Sequence, residues 1–352
     1  MKIVIVAGGS GGHIYPAMTL AEALIQRGHE IVFFGSNDRM EKDVIPAKGF
    51  AYEPLDVVTT RGGVLQKVHS LLSIAKAYLK CLKLLRGYDM AIGFGNYISI
   101  PVMLAAKRLG LKTVIHEQNS FVGRANRLLD SKMDLIIGSY EENRKQFKNP
   151  HIHIYGNPQS SKALHAVRNE DVIKEMGLHP DMKTVVIFMG SLGSESVMKC
   201  LLDYFKLLDG SYQVVYATGK SFYQEVVSRI SPCDYLKIYE RIDGVAVMKN
   251  ADLLISRAGA TTLCEVSAIG IPSILIPSPY VPNNHQFHNA LTLVNNGAAL
   301  MIEEKDLSAE RLFSEVAMLI NDDNKLKEMS ANAKKLCNSH VIEDIVEEVE
   351  KL

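Results

Sequence analysis

The chain has no tryptophan and only five cysteines in 352 residues. Cys81, Cys200, Cys233, Cys264 and Cys337 are scattered, with no Cys-x-x-Cys pair and no Cys/His spacing of the kind that holds zinc. That argues against a disulfide framework and a zinc module, and an odd, dispersed set fits reduced thiols. Net charge is lacking too. The 39 Lys and Arg balance the 39 Asp and Glu, so bulk charge gives no reason to expect nucleic acid as a partner. No uncharged apolar run reaches the roughly 18 residues of a membrane span. The opening residues read directly as a strand, so no signal peptide is expected. A soluble or peripheral protein is therefore expected. Its length predicts two domains, each with a sizeable core.

What is present begins with Gly8-Gly9-Ser10-Gly11-Gly12-His13, between a β-branched strand, Lys2–Ala7, and a helix expected from about Pro16 to Arg27. A strand feeding a Gly-rich turn and then a helix presents bare backbone N–H groups at a helix N-terminus. That suits a phosphate or pyrophosphate. His13 is the one titratable side chain in the turn. A tight βα turn with no ligand has the same sequence, and the spacing is not the dinucleotide pattern G-x-G-x-x-G.

Glu30–Gly35 reads as the next strand, which makes a βαβ start and predicts a doubly wound domain with its ligand at the carboxyl ends of the strands. Met90–Phe94, Lys112–His116, Asp134–Gly138 and His151–Tyr155 continue the sheet. His116-Glu117-Gln118-Asn119 lies at a strand's carboxyl end and is expected to be functional. Gly156-Asn157-Pro158 marks a domain boundary. Lys183–Met189 is again a strand, followed by Gly190-Ser191-Leu192-Gly193, so the same βα grammar restarts. Tyr212–Thr218, Leu236–Tyr239, Leu253–Ser256 and Ser273–Pro277 add strands. Arg257 to Thr262 (RAGATT) opens a helix that carries Glu265. Its N–H groups and hydroxyls suit phosphate oxygens. Glu265 suits two ribose hydroxyls, or equally the dipole of its own helix.

Residues 66–86 have helical spacing. Val68, Leu71, Leu72, Ala75, Leu79, Leu82 and Leu85 form a wide apolar stripe expected to face the core. A narrower stripe runs through Ile74, Ala77, Cys81 and Leu84, with Lys76, Lys80 and Lys83 between the two. A second stripe bordered by lysines suits a membrane surface. It also suits a helix sandwiched between core and neighbouring chain, with lysine stems covering apolar surface.

GGSGGHIYPA at 8–17, HEQNSFVGRANR at 116–127, GNP at 156–158, GS-x-G at 190–193, SRAGATTLCE at 256–265 and HQFHNA at 285–290 occur in this order. Together they resemble the MurG family, bacterial glycosyltransferases of family 28 that add N-acetylglucosamine to the lipid-linked peptidoglycan precursor. The resemblance implies an α/β chain of GT-B architecture, two Rossmann-like doubly wound domains with parallel sheets facing across a deep cleft. Residues 1–157 with 338–352 would form the acceptor and membrane-facing domain, and 158–337 the UDP-sugar domain. It implies UDP-GlcNAc as donor and undecaprenyl-pyrophosphoryl-MurNAc-pentapeptide (lipid I) as acceptor. It also implies peripheral attachment to the anionic cytoplasmic face of the cell membrane, and cell-wall and division proteins as partners.

Carried over residue by residue, the resemblance places Ser10, Gly11 and Gly12 near the donor and the acceptor pyrophosphate, and Asn119 at the donor sugar. Ser191 faces the donor diphosphate and the backbone of Ile242 the uracil. Gly259, Ala260, Thr261 and Thr262 lie near phosphates and sugar, Glu265 holds the ribose, and Gln286 with Asn289 reads the sugar hydroxyls. The sequence departs from the family twice. Gln159, Ser160, Ser161 and Lys162 stand where N-P-x-R is usual, and Leu192 replaces the Gln of G-S-Q-G.

For the inverting displacement His13 is the first candidate base and Glu117 the second. His13 could instead orient the acceptor or its phosphates. Helix-start N–H groups at 190–193 and 258–262 would meet the leaving diphosphate, with Arg257 if it points inward. No Asp-x-Asp is present, so no tightly bound metal is expected, with Mg²⁺ at most stimulating transfer. Competing readings are a UDP-GlcNAc 2-epimerase or another lipid glycosyltransferase, and a non-catalytic UDP-sugar sensor.

Overall fold

A computed structural model describes residues 1–58, 64–190 and 193–352. In chain order the first half carries β1 (Lys2–Val6), α1 (Gly11–Gln26), β2 (Glu30–Ser36), α2 (Glu41–Ala47), β3 (Ala51–Leu55), α3 (Val64–Leu84) and β4 (Met90–Gly93). It continues with α4 (Asn96–Arg108), β5 (Lys112–Glu117), α5 (Arg124–Leu129), β6 (Leu135–Gly138) and β7 (Ile152–Ile154). The second half begins with α6 (Ser160–Leu164), α7 (Glu170–Glu175), β8 (Thr184–Phe188), α8 (Glu195–Tyr204), β9 (Gln213–Ala217), α9 (Tyr223–Arg229) and β10 (Leu236–Tyr239). It ends with α10 (Gly244–Asn250), β11 (Leu253–Ser256), α11 (Ala260–Ile269), β12 (Ser273–Leu275), α12 (His285–Asn295), β13 (Ala299–Met301), α13 (Ala309–Ile320), α14 (Asp323–Lys335) and α15 (Val341–Glu350). Two compact units result: Met1–Gln159 with His340–Leu352, and Ser160–Ser339.

Each unit is built on one parallel sheet. The first has the order β3-β2-β1-β4-β5-β6-β7 and the second β10-β9-β8-β11-β12-β13. The apolar runs explain this. Ile3, Val4, Ile5 and Val6 are all fully buried. Ile3 and Ile5 pack among Ile14, Leu20, Leu24, Val341 and Ile345, whereas Val4 and Val6 pack among Ala77, Cys81, Val102 and Met103. A strand buried on both faces needs helices on both, and that is the doubly wound fold. β8 repeats the pattern: Val185 and Ile187 enter one core and Val186 the other. The strand order reverses between β1 and β4 in the first unit and between β8 and β11 in the second. Loops at such switch points diverge and leave a crevice at the carboxyl ends, where ligands bind.

Helix α3 corrects the expectation for its two stripes. Ala77 and Cys81 are buried, with Ile74 and Leu84 half-buried against the same core. These four do not form a membrane contact. Most of the wide stripe faces outward instead: Leu71 is 67% exposed, Leu79 60%, Leu72 57% and Val68 48%, whereas Leu82 and Leu85 at its end pack in the core as expected. Side-chain size explains the exchange. α3 packs closely on α4, and the small Ser73, Ala77 and Cys81 permit that approach along the middle of the helix. Lys76, Lys80 and Lys83 are exposed along one flank of the leucines, and Lys80 pairs with Glu53 at 2.7 Å. Among the described residues no helix is long and apolar enough to cross a membrane.

Candidate active site

In the first unit the Gly-rich turn follows β1 at the switch point. α1 begins at Gly11 with Ser10 as N-cap, five residues before the expected start. The reason is that His13 and Ile14 N–H already donate to the Ser10 carbonyl, so the second half of the turn is the first helical turn. Pro16 sits inside the helix and withholds a donor from the Gly12 carbonyl.

Two side chains outside the motif hold the turn. Glu41, 1% exposed, accepts from Gly9 N–H at 3.0 Å and from the N–H and hydroxyl of Ser36. Asn96 Nδ2 donates to the Gly8 carbonyl at 2.8 Å. A Cβ on Gly8 would collide with the Glu41 carboxylate, and one on Gly9, whose φ is +87°, with the Asn96 amide. The glycines are therefore required by close approach as well as by conformation. Sequence reasoning missed both braces, because neither lies near the motif in the chain.

His13 is half-buried, with Nδ1 3.0 Å from Ser10 Oγ. Its ring lies by Gly95, where a Cβ would touch both His13 and Asn126. If Nδ1–H donates to Ser10, Nε2 keeps its lone pair and is the basic atom. Neighbouring His116 is 1% exposed, stacked on Phe94 at 5.1 Å, and donates from Nε2 to the Gly156 carbonyl at 3.0 Å. Its Nδ1 accepts from Gln118 at 3.1 Å. Burial pushes its pKa down to about 4, so it is neutral at pH 7.

Glu117 does not fit the role of second base. It is 2% exposed and accepts from Asn119 N–H at 3.0 Å, Gly123 N–H at 2.9 Å, Asn126 Nδ2 at 2.9 Å and Asn119 Nδ2 at 3.3 Å. Burial raises its pKa, and those hydrogen bonds oppose the rise. Every lone pair is engaged in shaping the loop after β5. His116, Glu117 and Gln118 thus serve the architecture, while Asn119, half-buried, remains at the strand end.

In the second unit a cavity of about 690 Å³ opens at the β8/β11 switch point. Its lining includes Gly190, Gly193, Ser194, Arg257, Ser278 and Gln286. Ser191 and Leu192 lie outside the described residues. Arg257 does point inward, but its Nη2 is 2.6 Å from a Glu304 oxygen and 2.6 Å from Ser194 Oγ. Gln286 Oε1 accepts from Ser278 N–H at 2.8 Å, a bond that uses its oxygen and not its NH₂ group. α11 starts beside the cavity with Gly259 as N-cap, followed by Ala260, Thr261 and Thr262. Thr261 Oγ1 is buried and has no hydrogen-bond partner among the described residues. Glu265 lies one turn on, half-buried.

Asn289 is corrected. It is fully buried and donates to the Ala258 carbonyl at 3.2 Å, so it anchors the turn before α11 and does not face a sugar. Ile242 is half-buried in the turn before α10. At the departure from N-P-x-R, Gln159 accepts from Thr19 Oγ1 at 3.0 Å, and Lys162 is exposed on α6.

Two switch-point sites with helix N-termini, a half-buried histidine and an inward arginine are equipment for handling a diphosphate and moving a proton. Known proteins agree in kind. The glycosyltransferase family 28 N-terminal domain matches residues 3–137, and the family 28 C-terminal domain matches 184–348. The UDP-N-acetylglucosamine--N-acetylmuramyl-(pentapeptide) pyrophosphoryl-undecaprenol N-acetylglucosamine transferase of Halothermothrix orenii is 38% identical, over 96% of this chain and 95% of its own. The chain belongs to the MurG family. The protein of the same name from Limosilactobacillus fermentum is 36% identical, over 95% of this chain and 94% of its own. The crystal structure of Acinetobacter baumannii MurG superposes with a TM-score of 0.83 at 24% identity, covering 100% and 99% of the two chains, and so shares the fold. The MurG family membership makes this chain a glycosyltransferase.

Proposed function

We propose that this enzyme transfers N-acetylglucosamine from UDP-GlcNAc to the MurNAc 4-hydroxyl of lipid I, with inversion, to make lipid II. The 36–38% identity, over nearly the whole chain, to transferases bearing that activity in their names carries the reading. In the mechanism His13 Nε2 takes the hydroxyl proton as the new glycosidic bond forms, and Ser10 fixes the ring's tautomer. Backbone N–H groups at the starts of α8 and α11, with Arg257 and Thr261, receive the charge of the departing diphosphate. Gln286 donates to the donor sugar and Glu265 accepts from the ribose. Asn289, Glu41 and Asn96 keep the two turns in shape. No step is assigned to a resident metal; Mg²⁺ arriving with the diphosphate would offset part of its charge.

The acceptor is membrane-bound, so the enzyme works peripherally on the cytoplasmic face. α3 supplies the contact through Val68, Leu71, Leu72 and Leu79, with Lys76 and Lys83 beside them. A shallow groove on the helix's other flank, lined by Tyr78, Lys107, Arg108 and Lys132, adds positive charge toward anionic headgroups.

The test is transfer of labelled N-acetylglucosamine to a short-chain lipid I analogue, with a control lacking acceptor. Acceptor-dependent product is expected. Conversion of UDP-GlcNAc without acceptor would favour an epimerase. UDP-GlcNAc binding with no turnover would favour a sensor.

A further inference from the structure

At the β8/β11 switch point the guanidinium that would meet a diphosphate already has an anion. Arg257 Nη2 touches Glu304 at 2.6 Å, and Nη1 donates to the Ile276 carbonyl at 3.0 Å. The other Glu304 oxygen accepts from Ser196 Oγ. The side chains of Arg257 and Glu304 are 9% and 10% exposed, so water screens the pair little. Ser194, although N-cap of α8, makes no side-chain capping bond; its hydroxyl is taken by Arg257. Ser194, Ser196 and Arg257 all line the cavity.

A buried guanidinium without a counterion would hold a nucleoside diphosphate strongly, and product as firmly as donor. Binding both equally does nothing for turnover. We infer that Glu304 is a release residue. It neutralises Arg257 and weakens the grip on the nucleoside diphosphate, so that product leaves after transfer. This rests on the UDP-sugar reading of the cavity. It assigns to Glu304 a function opposite in sign to that of a strut, which would strengthen binding by holding Arg257 in place.

The experiment is calorimetry of UDP and of uridine on the wild-type enzyme and on Glu304→Gln, which keeps the shape and an acceptor for Ser196 but loses the charge. UDP is expected to bind roughly tenfold tighter to the variant, the scale of one charge-assisted contact in a buried site. Uridine, which lacks phosphate, is expected to bind unchanged. In steady state kcat is expected to fall while inhibition by added UDP strengthens. UDP affinity that is unchanged or weaker in the variant overturns the inference. Should Glu304→Gln fail to fold, Glu304→Asp withdraws the carboxylate by one methylene and is expected to tighten UDP by a smaller factor; no tightening there overturns it equally. Absence of UDP binding by the wild-type enzyme would instead overturn the donor-site reading beneath it.

Discussion

Replacing Leu71, Leu72 and Leu79 together by serine is expected to detach the enzyme from membranes without unfolding it. Full burial of one leucine side chain is worth about 1.5–3 kcal/mol. The three are 67%, 57% and 60% exposed, so each has more than half of that left to gain from a lipid surface. Each then contributes about 1–2 kcal/mol and the three about 3–5 kcal/mol, a drop in partitioning of about 10²- to 10⁴-fold. Because these side chains already face solvent, the cost to stability should stay within about 0.5 kcal/mol per site. The assay is co-sedimentation with anionic vesicles, read beside urea unfolding. Cys81→Ser is the contrast: a fully buried thiol replaced by a hydroxyl should cost about 1–3 kcal/mol of stability and leave vesicle binding unchanged. If the triple variant sediments like the wild type, or Cys81→Ser abolishes binding in a folded protein, the assignment of the outer face is wrong.

Glu117→Gln places an NH₂ group among N–H donors, so a stability loss of about 2–3 kcal/mol in urea is expected, with the pH dependence of kcat unmoved. His116 is held neutral by burial, its pKa lowered from 6.5 to about 4. Between those values the unfolded chain binds a proton that the folded chain refuses. Its contribution to stability is therefore complete above pH 6.5 and declines as pH falls toward 4, by up to about 3 kcal/mol. Urea midpoints across that range should fall in the wild type and fall less in His116→Gln. Dialysis against EDTA is expected to leave measurable transfer in place, with added Mg²⁺ changing the rate; complete loss that Mg²⁺ restores would contradict a reaction without a resident metal.

The doubly wound fold was legible because Lys2–Ala7 and Lys183–Met189 are apolar on both strand faces, and such strands need helices on each side. The short β3 and β13 were missed, since Ala51–Leu55 and Ala299–Met301 lack a β-branched run. The turns around Ser10 and Gly259 could be read from glycine spacing, because backbone geometry there depends on few side chains. The roles of Glu41, Glu304 and Asn289 could not be read. Each acts through a partner distant in sequence, and no local pattern records that pairing. The α3 error has a physical source. Stripe width measures apolar content, whereas close helix packing selects for small side chains, and here the two criteria point to opposite faces.

In the proposed transfer from UDP-GlcNAc, His13 activates the acceptor hydroxyl. The most direct measurement is transfer of labelled N-acetylglucosamine to a short-chain lipid I analogue at saturating substrates, comparing the wild type with His13→Ala. Acceptor-dependent transfer by the wild type is expected, with a kcat lower by about 10²-fold or more in the variant. Transfer by His13→Ala at a rate near the wild type's would contradict that role of His13.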